Sequence, residues 1–407
     1  MNDVRPASPA RRPGRRPGQR ALALTAVAAV AVALSACAHD SSSDGSSASG
    51  SGGSGSAFNV GLIASMTGSQ AQIGQDSQDG AQLAADEINA SGGLLGHKIS
   101  LSAEDDAGLP STGVSAAQKL TEGGNLNALL GPDISAVLEA VSPTVAQAKI
   151  PWIVSGISPK DFEMKNEWEF GGRPTDAINA QIMAQYAAST LKVHSTVIIY
   201  NLDAYAEPTL PYIEQYDKAA GVKVVSVQGV QDGATSATSQ VEAVIDGNAQ
   251  SVEFWGLLPE AALTLKTVKS LGFKGPVFGA NALTNATTLQ LAGSAADGAV
   301  AATTFVPSNS AAQIQSFDKK YEANYHSVPD DHAALYYDMM NLLAAAVRKA
   351  GSTDPGKIRT ALAGLEYNGV DGPISFNSVG ADVAQSGVVA QVQNGQAKVV
   401  QFLNGTK

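Results

Sequence analysis

Residues 58–93 read FNVGLIASMTGSQAQIGQDSQDGAQLAADEINASGG. The apolar run Phe58–Ile63 predicts a buried strand. Ala64–Gln75 is expected as a loop. Ala81, Ala84, Ala85 and Ile88 then recur at helical spacing within Asp76–Ala90, and Gly92-Gly93 stops that helix. A further apolar run, Ile99–Ala103, predicts the next strand. Strand, helix and strand joined by short connections make the unit of a parallel sheet with helices on its faces.

The same alternation continues outward. Ser111–Glu122 and Ser135–Ala148 are expected as helices, with strands at Ala128–Gly131 and Ile150–Val154. A second series follows Arg173-Pro174, with helices at Ala177–Leu191, Tyr212–Ala220, Ser239–Asp246 and Glu260–Leu271. Its strands are expected at Thr196–Tyr200, Val222–Val227, Ser251–Leu257 and Pro276–Gly279. A strand at Ala299–Phe305 precedes helices at Ala311–Tyr325, Ala333–Ala350 and Pro355–Leu362, and Pro373–Phe402 is rich in strand formers. Two consecutive series imply two similar lobes, and the extra elements at the end imply that the chain crosses back between them.

Composition narrows the function. The 407 residues carry a formal charge of -11 and a single Cys, which rules out a disulfide framework and a Cys-based zinc site. An acidic chain lacks the basic footprint that nucleic acid requires. The charge is unevenly placed, because the first 36 residues hold six Arg and only one acid. Arg11–Arg20, the uncharged Ala21–Ala33 and Leu34-Ser35-Ala36-Cys37 have the order of an export signal. The apolar run is too short for a membrane span, which needs about 20 residues. The Leu-Ser-Ala-Cys tetrad resembles a bacterial lipobox, implying removal of residues 1–36 and lipidation of Cys37. Residues 37–56 are mostly Ser, Gly, Ala and Asp, a flexible tether. Gly50–Gly55 spells GxGxxG, but with no strand before it and no helix after it the dinucleotide reading fails.

Five stretches together resemble type I periplasmic binding proteins, most closely the leucine/isoleucine/valine-binding proteins of ABC importers. They are Gly61–Gly74, Gly80–Gly93, Glu104–Gly108, Gly131-Pro132 and Gly372–Phe376, in order along nearly all of 57–407. The resemblance implies two Rossmann-like lobes with parallel sheets, joined by three crossovers and closing on ligand like a hinged trap. It further implies a first lobe from 57–176 and 303–385, and a second from 177–302 and 386–407.

The resemblance also suggests a site. Ser135 begins a helix after a strand, where hydroxyl and free amides favour an anion, and Ser158 follows the next strand with Gly156 and Ile157 beside it. The family places its carboxylate-holding groups there. Its ammonium partner is usually a Glu at the position of Asn281, and an amide cannot neutralise a cation. An uncompensated buried charge costs about 3–5 kcal/mol, or roughly two to three decades of affinity. Ile73 and Leu257 stand where the family has aromatic residues, and Tyr205 keeps one. Trp255 reads equally as pocket wall or lobe core. Asp133 reads as a replacement ammonium partner, a contact for a cationic or hydroxylated ligand, or a solvated loop acid. The ligand is thus an amino acid or a carboxylate without an amine.

Catalytic signals fail their context. Ser316-Phe317-Asp318-Lys319 lacks its companion motifs and reads as a helix burying Ile314, Phe317 and Tyr321. The five His show no metal-ligand spacing, and His326 and His332, flanking a Pro, read as surface residues. The expectation is an exported, monomeric, lipid-anchored solute-binding protein at the outer face of the cytoplasmic membrane. It would need no cofactor and would serve an ABC permease and ATPase. A ligand sensor of the same fold and an enzyme on this scaffold are the alternatives.

Overall fold

The first strand, β1 (Phe58–Ala64), sends Val60, Leu62 and Ala64 to one apolar cluster and Ile63 to another. Both faces of its sheet are therefore buried, as the unbroken apolar run requires. The computed structural model describes residues 56–384 and 387–403. The expected export segment, Cys37 and nearly all of the tether lie outside the described residues.

After β1 come α1 (Ala71–Ala90), β2 (Ile99–Asp105), α2 (Pro110–Thr121), β3 (Ala128–Leu130), α3 (Ser135–Ala148), β4 (Trp152–Val154) and β5 (Glu169–Gly171). The five strands form one parallel sheet in the order β2-β1-β3-β4-β5. The second series runs α4 (Asp176–Ser189), β6 (Ser195–Asn201), α5 (Leu210–Ala220), β7 (Lys223–Val230), α6 (Thr238–Asp246) and β8 (Ser251–Trp255). It continues with α7 (Leu258–Ser270), β9 (Val277–Gly279), α8 (Ala286–Ala292) and β10 (Val300–Thr303).

Then the chain turns back. Helices α9 (Ala312–Tyr325), α10 (Asp331–Ala350) and α11 (Pro355–Ala363) are followed by the short pair β11 (Tyr367–Asn368) and β12 (Pro373–Ile374). Leu335, Met339 and Leu343 of α10 pack with Val60 and Leu62 of β1, so this helix covers the first sheet. Finally β13 (Val388–Gln393) and β14 (Gln396–Phe402) join the second sheet antiparallel, giving the order β14-β13-β10-β9-β8-β6-β7. The chain thus passes between two α/β lobes three times.

Three elements depart from the expected pattern. Helix α1 starts at Ala71, inside the expected loop. Gly74 hides that start, and the packing explains it: a Cβ there would lie 2.2 Å from the Ser65 carbonyl oxygen, so the first turn sits directly on the end of β1. Strand β5 went unseen because only three residues pair and the first is a buried acid, Glu169. Helix α8 has only seven residues and two β-branched Thr, although Asn285 caps it by accepting from the Thr287 amide.

Candidate functional site

In parallel sheets, loops at the carboxyl ends of strands converge with helix N-termini. Here they enclose a cavity of about 260 Å3 between the lobes. The first lobe contributes Asp133, Ser135 and Ala136 after β3, Ile157 after β4 and Arg173 after β5. The second contributes Asp203 and Tyr205 after β6, Asp232 after β7, Leu257 after β8 and Asn281 after β9. Ile73 from α1 lines the cavity and belongs to the apolar cluster of the second lobe, so the lobes touch across it.

Ser135 opens α3, and its amide and that of Ala136 have no partner among the described hydrogen bonds. Its hydroxyl donates to Asp161 Oδ2 at 3.0 Å, and the Ser158 amide donates to the same oxygen at 3.1 Å. Burial raises the Asp161 pKa to about 7 despite those donors. Ser158 is fully buried and does not line the cavity, nor does Gly156. A Cβ on Gly156 would lie 2.5 Å from Asp161 Oδ2, so the glycine admits the carboxylate. Of the loop 156–158, only Ile157 reaches the cavity.

Asp133 is not a solvated loop acid. It is 9% exposed and accepts from Ser155 Oγ at 2.6 Å and Ser77 Oγ at 3.3 Å. Trp255 is core: it is fully buried in the second-lobe cluster and donates its indole N–H to Glu253 at 2.9 Å. Tyr205 lines the cavity while its hydroxyl donates to Asp176 at the start of α4. The Leu257 amide donates to Asn201 Oδ1 at 3.2 Å, and that residue's Nδ2 donates to Asp232 at 2.7 Å.

Asn281 lines the cavity but its amide is engaged. Nδ2 donates to Asp331 Oδ2 at 2.8 Å, and Asn285 Nδ2 donates to Asp331 Oδ1 at 2.8 Å and Asp330 Oδ2 at 3.1 Å. A loop and cap of the second lobe thereby grip the N-terminus of α10. His332 also overturns its reading as a surface residue. It is 5% exposed, lines the cavity, and places Nδ1 3.5 Å from both Asp330 and Asp331, which raise its pKa well above the usual imidazole value. Arg173 Nη1 lies 3.7 Å from Asp331 Oδ2, and its Nε donates to the Ser155 carbonyl at 2.8 Å. Ligand atoms of Asp330, Asp331 and His332 fall within 4.8 Å of one another, but Arg173 and His332 already supply countercharge there.

Arg173, Asp203, Asp232 and His332 were missed as site residues. Asp203 and Asp232 each follow an expected strand, which was the available signal, whereas Arg173 follows β5, the strand that itself went unseen. Nothing local marks His332, because the helix that carries it reaches the cavity only through the chain's return to the first lobe.

The family described as periplasmic binding protein matches residues 57–397. The Leu/Ile/Val-binding protein BraC3 of Rhizobium johnstonii is 27% identical over 336 residues, covering 80% of this chain and 89% of that protein. Among solved structures, the branched-chain amino acid transporter substrate-binding protein LivJ from Streptococcus pneumoniae, in complex with isoleucine, superposes with a TM-score of 0.77 at 24% identity. It covers 85% of this chain and 99% of its own. A solute-binding protein of an ABC transporter from R. palustris, in complex with benzoate, also gives 0.77, at 21% identity, covering 86% and 97%.

Proposed function

Since the chain belongs to the periplasmic binding protein family, we propose that it is the extracytoplasmic, lipid-anchored solute-binding component of an ABC importer. It captures a small carboxylate or amino-acid-like ligand by closing its two lobes and delivers it to a permease. Its relatives are transporter substrate-binding proteins rather than enzymes, and its role is solute binding. In this reading residues 1–36 direct export, Cys37 takes the lipid and 37–56 tether the lobes. Residues 57–176 and 303–385 form the first lobe, with 177–302 and 386–407 the second.

The observation that carries the reading is the cavity of about 260 Å3, lined by strand-end loops of both lobes. Ligand that touches both walls favours the closed form through its differential contacts. The unpartnered amides of Ser135 and Ala136 suit a carboxylate oxygen. The isoleucine and benzoate of the relatives' complexes are both small carboxylates. Tyr205, Leu257 and Asn281 complete the wall from the second lobe, with Ile73 and Ile157 facing them.

The test is a melting-temperature screen of protein unfolded and refolded to shed carried-over ligand. The probes are branched-chain amino acids, their 2-oxo acids, aromatic acids and short amines. A bound probe at 100 times its dissociation constant stabilises by about 2.7 kcal/mol. The expected result is a saturable rise with one probe class, with full recovery of the probe unchanged. Turnover of the probe, or no rise with any class, would count against the capture role.

A further inference from the structure

We propose that capture of a carboxylate at the Ser135 end of the cleft takes up one proton from solvent, and that the buried Asp161 carboxylate beneath the cavity receives it. This rests on the solute-binding reading and adds a control on that same site.

Ser135 serves two partners. Its amide and that of Ala136 are open, both residues line the cavity, and its hydroxyl donates to Asp161 Oδ2 at 3.0 Å. The Ser158 amide donates to the same oxygen at 3.1 Å. Asp161 lies on the short 3-10 helix Pro159–Met164, is fully buried and does not line the cavity. A ligand carboxylate on the α3 amides and the Asp161 carboxylate therefore share one serine. The first meets its main chain and the second its side chain.

No cation offsets those two charges. Asp161 forms no ion pair among the described residues. Lys160, its neighbour in the chain, is largely exposed and pairs with Glu139 of α3 at 3.0 Å. Glu169 of β5 adds a further buried acid, and neither of its carboxylate oxygens has a hydrogen-bond partner. Asp161 Oδ1 is likewise buried without a partner, although Oδ2 receives two donors. A charged carboxylate half satisfied in such a place is costly, and a proton removes the charge.

Burial is the main reason that Asp161 rises to about 7, with Glu139 adding to it and Ser135, Ser158 and Lys160 opposing. Burial and the Asp161 charge hold Glu169 higher still, at about 9, so Glu169 is already neutral when Asp161 titrates. An anion arriving on the α3 amides raises Asp161 further, and by linkage the protonated protein binds that anion more tightly. Carboxylate affinity therefore falls by about tenfold from pH 6 to pH 8, where uptake approaches one proton per ligand. The competing acceptor is Asp203 on the opposite wall, which burial also pushes up to about 7. His332 cannot compete, because Asp330 and Asp331 already keep it protonated.

The experiment is calorimetric titration with 4-methyl-2-oxopentanoate, benzoate and L-isoleucine at pH 6, 7 and 8. Each is run in two buffers of different ionisation enthalpy, because the dependence of the heat on buffer counts the protons taken up. The expected result is a bound carboxylate that weakens about tenfold from pH 6 to pH 8 and takes up close to one proton at pH 8. Asp161→Asn keeps an acceptor for the Ser135 hydroxyl, and there the uptake vanishes and the pH 8 affinity approaches that at pH 6. Ser135→Ala removes one donor to the ionised Asp161, so the midpoint of the pH dependence moves up. Melting curves report the fold of both variants, and the Ser135→Ala midpoint decides if Asp161→Asn does not fold. Binding without uptake, a flat pH profile, or an unmoved midpoint overturns the proton link while leaving solute capture standing. Uptake that survives in folded Asp161→Asn places the proton on Asp203 and overturns it equally. Silence from all three probes overturns both.

Discussion

Asn281 and Ser135 follow strands of different lobes, and their neighbours assign them different work. The Ser135 hydroxyl supports Asp161 beneath the cavity, leaving the α3 amides as the open donors. The Asn281 amide bridges 2.8 Å to Asp331 on α10. A hydrogen bond to a charged group contributes about 1.5–3 kcal/mol. Asn281→Ala therefore shifts the ligand-free protein toward separated lobes, while Asn285 keeps its own bonds to Asp330 and Asp331. Small-angle scattering should report a larger radius of gyration than the unaltered chain. An identical scattering curve would show that this contact does not hold the lobes together. That Asn281 stands at the cleft was legible from the strand before it, but its partner lies fifty residues ahead.

At the scale of elements, the pair α1 and α10 matters most for the site. Gly80 of α1 faces the start of α10, and a Cβ there would lie 2.1 Å from the Ala333 carbonyl oxygen. Such close approach excludes any side chain. Gly80→Ala forces the helices apart, at a cost of about 1–3 kcal/mol or more. Because Asp330 caps α10, and Asp331 and His332 begin it, the displacement reaches the cavity as well. Both a lower melting temperature and weaker ligand binding are expected. A variant with unaltered melting would mean that α10 moves freely and does not position Asp331 and His332. Periodicity made both helices legible, but not their contact.

The whole molecule buries many acids. Burial raises Asp76, Asp161, Asp338 and Asp382 to about 7 and Glu169 to about 9. Their unfolded values lie near about 4. Between the unfolded and folded values the native state binds the extra protons, so each contribution is fully present below the unfolded value and is lost as pH rises through the folded one. His332 adds the same sign, since its raised value favours the folded state below the ordinary imidazole range and fades at higher pH. Asp331 opposes them: held low by His332 and Arg173, it stabilises above the ordinary carboxylate range and weakens only in stronger acid. The melting temperature should accordingly be higher at about pH 5 than at about pH 8. Calorimetric scans at the two values decide it, and a higher value at the alkaline end would contradict the assignment of these acids.

The sequence by itself determined the order of most strands and helices, β5 and α8 excepted, because apolar periodicity is local and a long element needs only its own residues to declare it. It also marked the strand ends where cavity residues such as Ser135, Tyr205 and Asn281 lie. Charge and chain composition alone set apart the first 56 residues. Only the tertiary structure placed Trp255 in the core, buried Asp133 and His332, and joined Arg173 to Asp331. It also brought Asp203 and Asp232 to one wall. Those outcomes depend on contacts within a few ångströms between segments far apart in the chain. The packing of the two lobes and the return of α10 create those contacts, and no local pattern encodes them.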